Sequence, residues 1–187
     1  MTILALDTTS QHGSLALRRG GANLAELALH SPDGYAHLIF QRITDLLRNA
    51  GVQLPEIDCF AAASGPGSFT GVRVGLAAVK GLAAALGKPV AGISNLRALA
   101  ALGNLTPVID ARRGEVYTAV YDAELRLVSP ETIKPSSGVP ISQLSGNLAV
   151  AVAICAEMDG PAGWQDPATL DANYVRRADA ELFWKDR

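Results

Sequence analysis

Residues 3–6 form a continuous apolar run closed by Asp7-Thr8-Thr9-Ser10, and residues 14–18 and 23–29 then alternate apolar and polar around Gly20-Gly21. A period of two predicts three strands, the second and third joined by a hairpin turn. Over residues 35–50 the period becomes helical: Ile39, Ile43, Leu46, Leu47 and Ala50 share one face, His37, Gln41, Thr44, Asp45 and Arg48 lie opposite, and Gly51 is the stop. Residues 57–63 read as a buried strand, Gly65-Pro66-Gly67-Ser68 as the loop after it, and residues 69–86 as a helix ended by Gly87 and Pro89. A short strand at 90–93 and a short helix at 95–102 follow.

After Gly103-Asn104 the pattern starts again. An apolar run at 107–109 is closed by Asp110, a turn follows at 111–114, and residues 115–121 alternate as a strand. This repeats the opening device, in which a strand ends at Asp7, turns and feeds the strand from Ser14. Self-similarity on that scale predicts two lobes on one template, residues 1–104 and a smaller lobe at 105–187, rather than a solenoid of short repeats. Beyond Ser129 the chain is broken by Pro130, Pro135, Pro140, Pro161 and Pro167, so the second lobe is expected to be short of helices.

Composition narrows the function classes. The chain has 187 residues, 49% of them hydrophobic, which suffices for a core. A formal net charge of −2 leaves no basic stripe for independent nucleic-acid binding, so any RNA contact is expected to be carried by a partner. Cys59 and Cys155 lie far apart in apolar stretches and are expected to be buried, reduced thiols. The first apolar run ends at Asp7, too early for a signal-peptide core and without a basic leader, which points to the cytoplasm. The segment 76–86 is interrupted by Lys80 and falls short of the roughly 20 residues a membrane span needs, so no transmembrane helix is expected.

The stretch Gly65-Pro66-Gly67-Ser68-Phe69-Thr70-Gly71-Val72-Arg73-Val74-Gly75 joins a strand to a helix, where exposed amides can hold an anion. It fits three enzyme motifs poorly. The only Gly-Lys, Gly87-Lys88, is followed by Pro89 and makes no Walker A loop. The strand at 90–93 leads into Ser94 and Asn95, not the acidic residue of a dinucleotide site. Neither Ser64 nor Ser68 has the flanking glycines of a nucleophile elbow.

Along the helix, Gly71, Gly75 and Val79 share one stripe and Ala77, Gly81 and Ala85 another. Each interior glycine costs about 1 kcal/mol relative to alanine, which close approach of another backbone would offset. That backbone belongs either to a second subunit or to the same lobe, and the pattern leaves both open. Phe40 and Leu47 widen the apolar face of the preceding helix beyond what one sheet needs, which favours a subunit interface built from both helices.

Asp7 and Asp110, each at a strand end, are candidates to face a nucleotide, or simply cap their turns. Neither has a glycine two residues on to let backbone approach a phosphate. Of the three histidines, His12, His30 and His37, no pair is three or four residues apart, so a helical zinc or iron site is unsupported.

Residues 3–10 (ILALDTTS), 65–75 (GPGSFTGVRVG), 92–96 (GISNL), 109–117 (IDARRGEVY) and 174–176 (YVR) resemble the TsaB family, also called YeaZ. The similarity covers most of residues 1–122 in order and only patches of 123–187. It implies an α/β, actin-like (ASKHA, RNase H-like) two-lobed fold with mixed sheets and a shortened C-terminal lobe. It also implies a role in forming N6-threonylcarbamoyladenosine (t6A) in tRNAs that read codons beginning with A. In that pathway a related subunit, TsaD, transfers the threonylcarbamoyl group, a small ATPase, TsaE, completes the bacterial set, and TsaB supports TsaD without catalysing. The catalytic relative holds a metal through a His-x-x-x-His pair; Asn95 and Leu99 stand at the matching positions here, so no metal and no catalysis are expected.

Carried onto this sequence, the resemblance places a partner interface on the two helices, with Tyr35, His37, Phe40, Leu47, Phe69, Gly71, Val72, Gly75 and Val79 as its candidate residues. Asp7, Thr8, Asp110 and Arg112 are the candidate nucleotide-facing residues. The implied partners are a TsaD-like paralogue and a TsaE-like ATPase, with a homodimer in isolation, tRNA reached only through the complex, and no membrane. No cofactor is expected on the chain alone, and ADP or ATP is expected at the interface with the partner. The alternatives are a small actin-like ATPase or sugar-kinase-like enzyme using Asp7 and Asp110, and, more weakly, a metalloprotease.

Overall fold

The computed structural model describes residues 1–136, 138, 140–142 and 147–175; Arg176, the last residue of the Tyr-Val-Arg stretch, lies outside them. β1 (Thr2–Asp7), β2 (His12–Arg19) and β3 (Ala22–His30) form an antiparallel meander. β4 (Cys59–Gly65) and β5 (Val90–Ser94) add in parallel on the other side of β1, giving the order β3-β2-β1-β4-β5. β1 and β4 are buried at every position, because both faces of the sheet are covered.

Alternation along β1 divides the core between those faces. Leu4 and Leu6 point to one side, where α1 (Ile39–Ala50) and α2 (Phe69–Leu86) pack Ile39, Ile43, Leu46, Val72, Leu76 and Val79 onto them. Ile3 and Ala5 point to the other, against α3 (Asn95–Ala101) and α4 (Leu148–Gly163). By length and composition alone α2 passes for a membrane span, contrary to the sequence-based expectation, but one side of it is sealed into this core.

A second sheet, β6-β7-β8, is a meander of β6 (Val108–Arg112), β7 (Glu115–Tyr121) and β8 (Leu127–Pro135). Both meanders open on the same turn device. Asp7 Oδ1 accepts a hydrogen bond from the Thr9 amide and Asp110 Oδ1 accepts one from the Arg112 amide, each at 2.8 Å. β8 carries Pro130 and Pro135, which an edge strand tolerates because one side of it forms no ladder.

Residues 105–187 were expected to be short of helices, yet α4 lies within them, and it packs on the first sheet rather than the second. Arg97 grips Asp159 in a bidentate pair with both bonds at 2.7 Å, Arg18 Nε donates to Glu157 at 2.5 Å, and the Ala149 amide donates to Ser14 Oγ at 3.0 Å. Leu148, at the start of α4, is wholly buried. Leu148→Ala is expected to cost about 2–5 kcal/mol, seen as a lower urea midpoint at an unchanged slope.

Candidate functional site

The turn after β1 sits beneath the first turn of α2 and is stitched to three other elements. The Gly65 amide donates to Asn95 Oδ1 at 3.0 Å, Asn95 Nδ2 donates to Thr9 Oγ1 at 2.6 Å, and Thr9 Oγ1 donates to Asp7 Oδ1 at 2.7 Å. Thr8 Oγ1 donates to the Gly71 carbonyl at 2.7 Å, and the Ser68 amide to the Thr9 carbonyl at 2.8 Å. Asp7 is fully buried, and its Oδ2 has no hydrogen-bond partner among the described residues. Burial pushes the Asp7 carboxyl up to about 6, against the downward pull of the two Thr9 hydrogen bonds.

Of the candidate nucleotide-facing residues, then, Asp7 and Thr8 are buried beside α2, whereas Asp110 and Arg112 are exposed on the second sheet and paired with each other. Among the described residues no hydrogen bond or ion pair joins the two pairs. Asn95 is one of the two residues at the metal-ligand positions of the catalytic relative, and both ends of its side chain are spent on Gly65 and Thr9. Leu99, the other, is core. Cys59 and Cys155 are free and buried, and burial pushes their thiols up to about 12 and about 11, which leaves them unreactive.

The glycine stripe resolves in favour of the lobe's own backbone. A Cβ on Gly71 would overlap the Thr8 carbonyl oxygen, and one on Gly75 would lie 2.5 Å from Thr8 Oγ1. Val72 and Val79 are buried with them. On α1, Leu47 is core, and Tyr35, just before the helix, is buried with its hydroxyl accepting a hydrogen bond from the Gly13 amide at 2.6 Å. Six of the nine candidate interface residues, Tyr35, Leu47, Gly71, Val72, Gly75 and Val79, are buried within this chain, the two glycines against the Thr8 backbone and side chain.

The other three, His37, Phe40 and Phe69, are exposed, the two phenylalanines to 53% and 56%. The second stripe of α2, Ala77, Gly81 and Ala85, is exposed too, as is Ala84, and among the described residues a Cβ on Gly81 would meet nothing within 4 Å. At the N-terminal end of that face, Arg73 stacks its guanidinium 3.7 Å from the Phe69 ring centroid and donates from Nε to the Tyr174 hydroxyl at 3.0 Å. Arg73 and Tyr174 thus meet across 101 residues, a contact that spacing could not reveal.

Residues 33–144 match the family described as TsaD, tRNA N6-adenosine threonylcarbamoyltransferase. The chain is 33% identical over 147 residues to the tRNA threonylcarbamoyladenosine biosynthesis protein TsaB of Bacillus subtilis, covering 76% of this chain and 63% of that protein. It is 37% identical over 131 residues to Escherichia coli TsaB, covering 66% and 56%. The solved structure of YeaZ from Pseudomonas aeruginosa superposes with a TM-score of 0.79 at 28% identity, over 92% of this chain and 99% of that one. This chain belongs to the TsaB (YeaZ) family. The α/β, actin-like (RNase H-like) fold implied by the sequence resemblance is the fold observed. The chain spans between about half and two thirds of the length of these two TsaB proteins.

Proposed function

We propose that this protein acts in t6A formation as the non-catalytic partner of a TsaD-like transferase, which docks on the outward face of α1 and α2. The observation that carries the reading is that face: an α2 surface stripped to Ala77, Gly81, Ala84 and Ala85, with Phe69 exposed at the start of the same helix and Phe40 exposed on α1, which packs on the same side of the sheet. Small residues let a partner helix approach closely, and the two rings supply apolar area at the rim. The burial of Asp7 and the engagement of Asn95 support a supporting rather than a catalytic role. In isolation the same face pairs with a second copy. ADP or ATP binds only where the partner completes the site, a TsaE-like ATPase joins the assembly, tRNA is reached through the complex, and the setting is cytoplasmic.

Gly81→Leu and Ala77→Arg test this, since both positions are open and neither change disturbs the core. Each is expected to weaken binding to the TsaD-like paralogue of the same cell by about 100-fold, about 2.7 kcal/mol, with an unchanged melting temperature. In cells carrying only the variant, t6A measured by mass spectrometry of tRNA is expected to fall. Wild-type affinity in both variants would remove the face from the interface, and unchanged t6A in cells lacking the protein would remove the function. ATP hydrolysis by the isolated chain, lost in Asp7→Asn, would favour the kinase-like alternative instead.

A further inference from the structure

His12 opens β2 and His30 closes β3, and the antiparallel register sets them directly opposite each other. The backbone around them is fixed: the Ser31 amide donates to the Gln11 carbonyl at 3.0 Å, and the His12 amide donates to Ser10 Oγ at 3.1 Å. Both side chains are exposed, with ring centroids 4.7 Å apart and planes 27° apart. Their Nδ1 atoms face each other at 3.3 Å. Two zinc–nitrogen bonds of about 2.0–2.1 Å at the tetrahedral angle span about 3.3–3.4 Å between the nitrogens.

The geometry points to a two-imidazole site for a late first-row divalent cation such as Zn²⁺, held by Nδ1 of His12 and Nδ1 of His30. This site is separate from the α1–α2 face and does not rest on the t6A reading. Without the ion, one Nδ1 carries a proton and donates it to the other. On binding, that proton moves to Nε2 of the same ring, neither imidazole changes its proton count, and both Nδ1 lone pairs face the ion. The Gln11 side-chain amide lies 3.4 Å from His12 Nε2, and the flipped amide offers its oxygen there to hold the Nε2 proton. Among the described residues no group of three His, Cys, Asp or Glu side chains forms a metal cluster, so water completes the coordination and the site exchanges readily. Helical spacing does not show this pair, because strand register rather than a separation of three or four residues brings it together.

The test is calorimetric titration of the EDTA-stripped full chain with Zn²⁺, comparing wild type with His12→Gln, His30→Gln and His37→Gln, folding being checked by circular dichroism. One ion per chain is expected, bound at least tenfold more weakly in either of the first two variants and unchanged in His37→Gln. ¹⁵N shifts are expected to move at Nδ1 of both His12 and His30. Wild-type binding no tighter than that of the His12→Gln/His30→Gln double variant, binding lost in His37→Gln instead, or shifts confined to Nε2 would overturn the assignment.

Discussion

Gly71→Ala is expected to cost more than about 4 kcal/mol at 25 °C, the largest loss of any glycine substitution on α2. The added methyl would overlap the Thr8 carbonyl oxygen, and backbone faces backbone there, so no side-chain rotation relieves the clash. For α2 to move away, Thr8 must release the Gly71 carbonyl and Thr9 must release the Ser68 amide. For the turn to move away, the Asp7, Thr9 and Asn95 network must break. Ordinary overpacking costs about 1–3 kcal/mol; displacing this turn adds buried polar groups left unpaired, at about 1–3 kcal/mol each, for a total above about 4 kcal/mol. That is a large share of the 5–15 kcal/mol typical of a domain.

The neighbouring glycines give the internal controls. At Gly75 the methyl meets Thr8 Oγ1, a side-chain atom that can turn aside by giving up one hydrogen bond, so Gly75→Ala is expected to cost less than Gly71→Ala. At Gly81 nothing lies within 4 Å, and Gly81→Ala is expected to stabilise by up to about 1 kcal/mol through helix propensity. Urea midpoints should therefore rank Gly81→Ala above wild type, then Gly75→Ala, then Gly71→Ala. A Gly71→Ala protein with the wild-type midpoint would show that α2 does not rest on the β1 turn.

That ranking also marks what the sequence could and could not tell. The sequence predicts α2 at 69–86 and the structure has it there, because the stop at Gly87 and Pro89 is a local signal, and Gly87 is the left-handed C-cap. Helical spacing shows that Gly71 and Gly75 are kept small, but not for whom. Their neighbour, Thr8, is 63 residues away from Gly71, and only the sheet order, with β4 pairing beside β1, brings it close. Arg73 with Tyr174 was illegible because 101 residues separate them, and His12 with His30 because antiparallel register, not helical spacing, sets them opposite each other.

α4 was hidden by a different cause. Its residues Leu148, Ala149, Ala151, Val152, Ala153, Cys155 and Ala156 are buried around most of its circumference, so apolar and polar positions do not alternate at the helical period. Pro161, which argued against a helix, falls after the left-handed Gly160, where the helix kinks. Reading Asp7 as either a phosphate-facing residue or a turn cap was as far as local sequence could go. Its burial depends on α2 lying over the turn, which is a tertiary fact.

Burial makes Asp7 a measurable discriminator between those two roles. Its carboxyl titrates near 6 in the folded chain against an ordinary value of 3.8, so between those values the folded state holds a proton that the unfolded state has released. Stability contributed by the protonated form is complete below about pH 4, falls as pH rises towards 6 and is lost above it. At about 1.4 kcal/mol per pH unit the loss is about 3 kcal/mol. Asp7→Asn keeps an Oδ1 acceptor for both Thr9 donors and cannot ionise, but it places an amide nitrogen where Oδ2 has no partner, a fixed cost of about 1–3 kcal/mol at every pH. The fixed cost cancels when the variant and wild type are compared at two pH values. Relative to wild type, Asp7→Asn is expected to be more stable at pH 7 than at pH 4 by about 3 kcal/mol, read from urea unfolding at each pH. An equal difference at both would mean that burial does not hold the proton. A larger loss at pH 7 would mean that the carboxylate has a cationic or metal-bound partner, and the nucleotide-facing role of Asp7 would regain its standing.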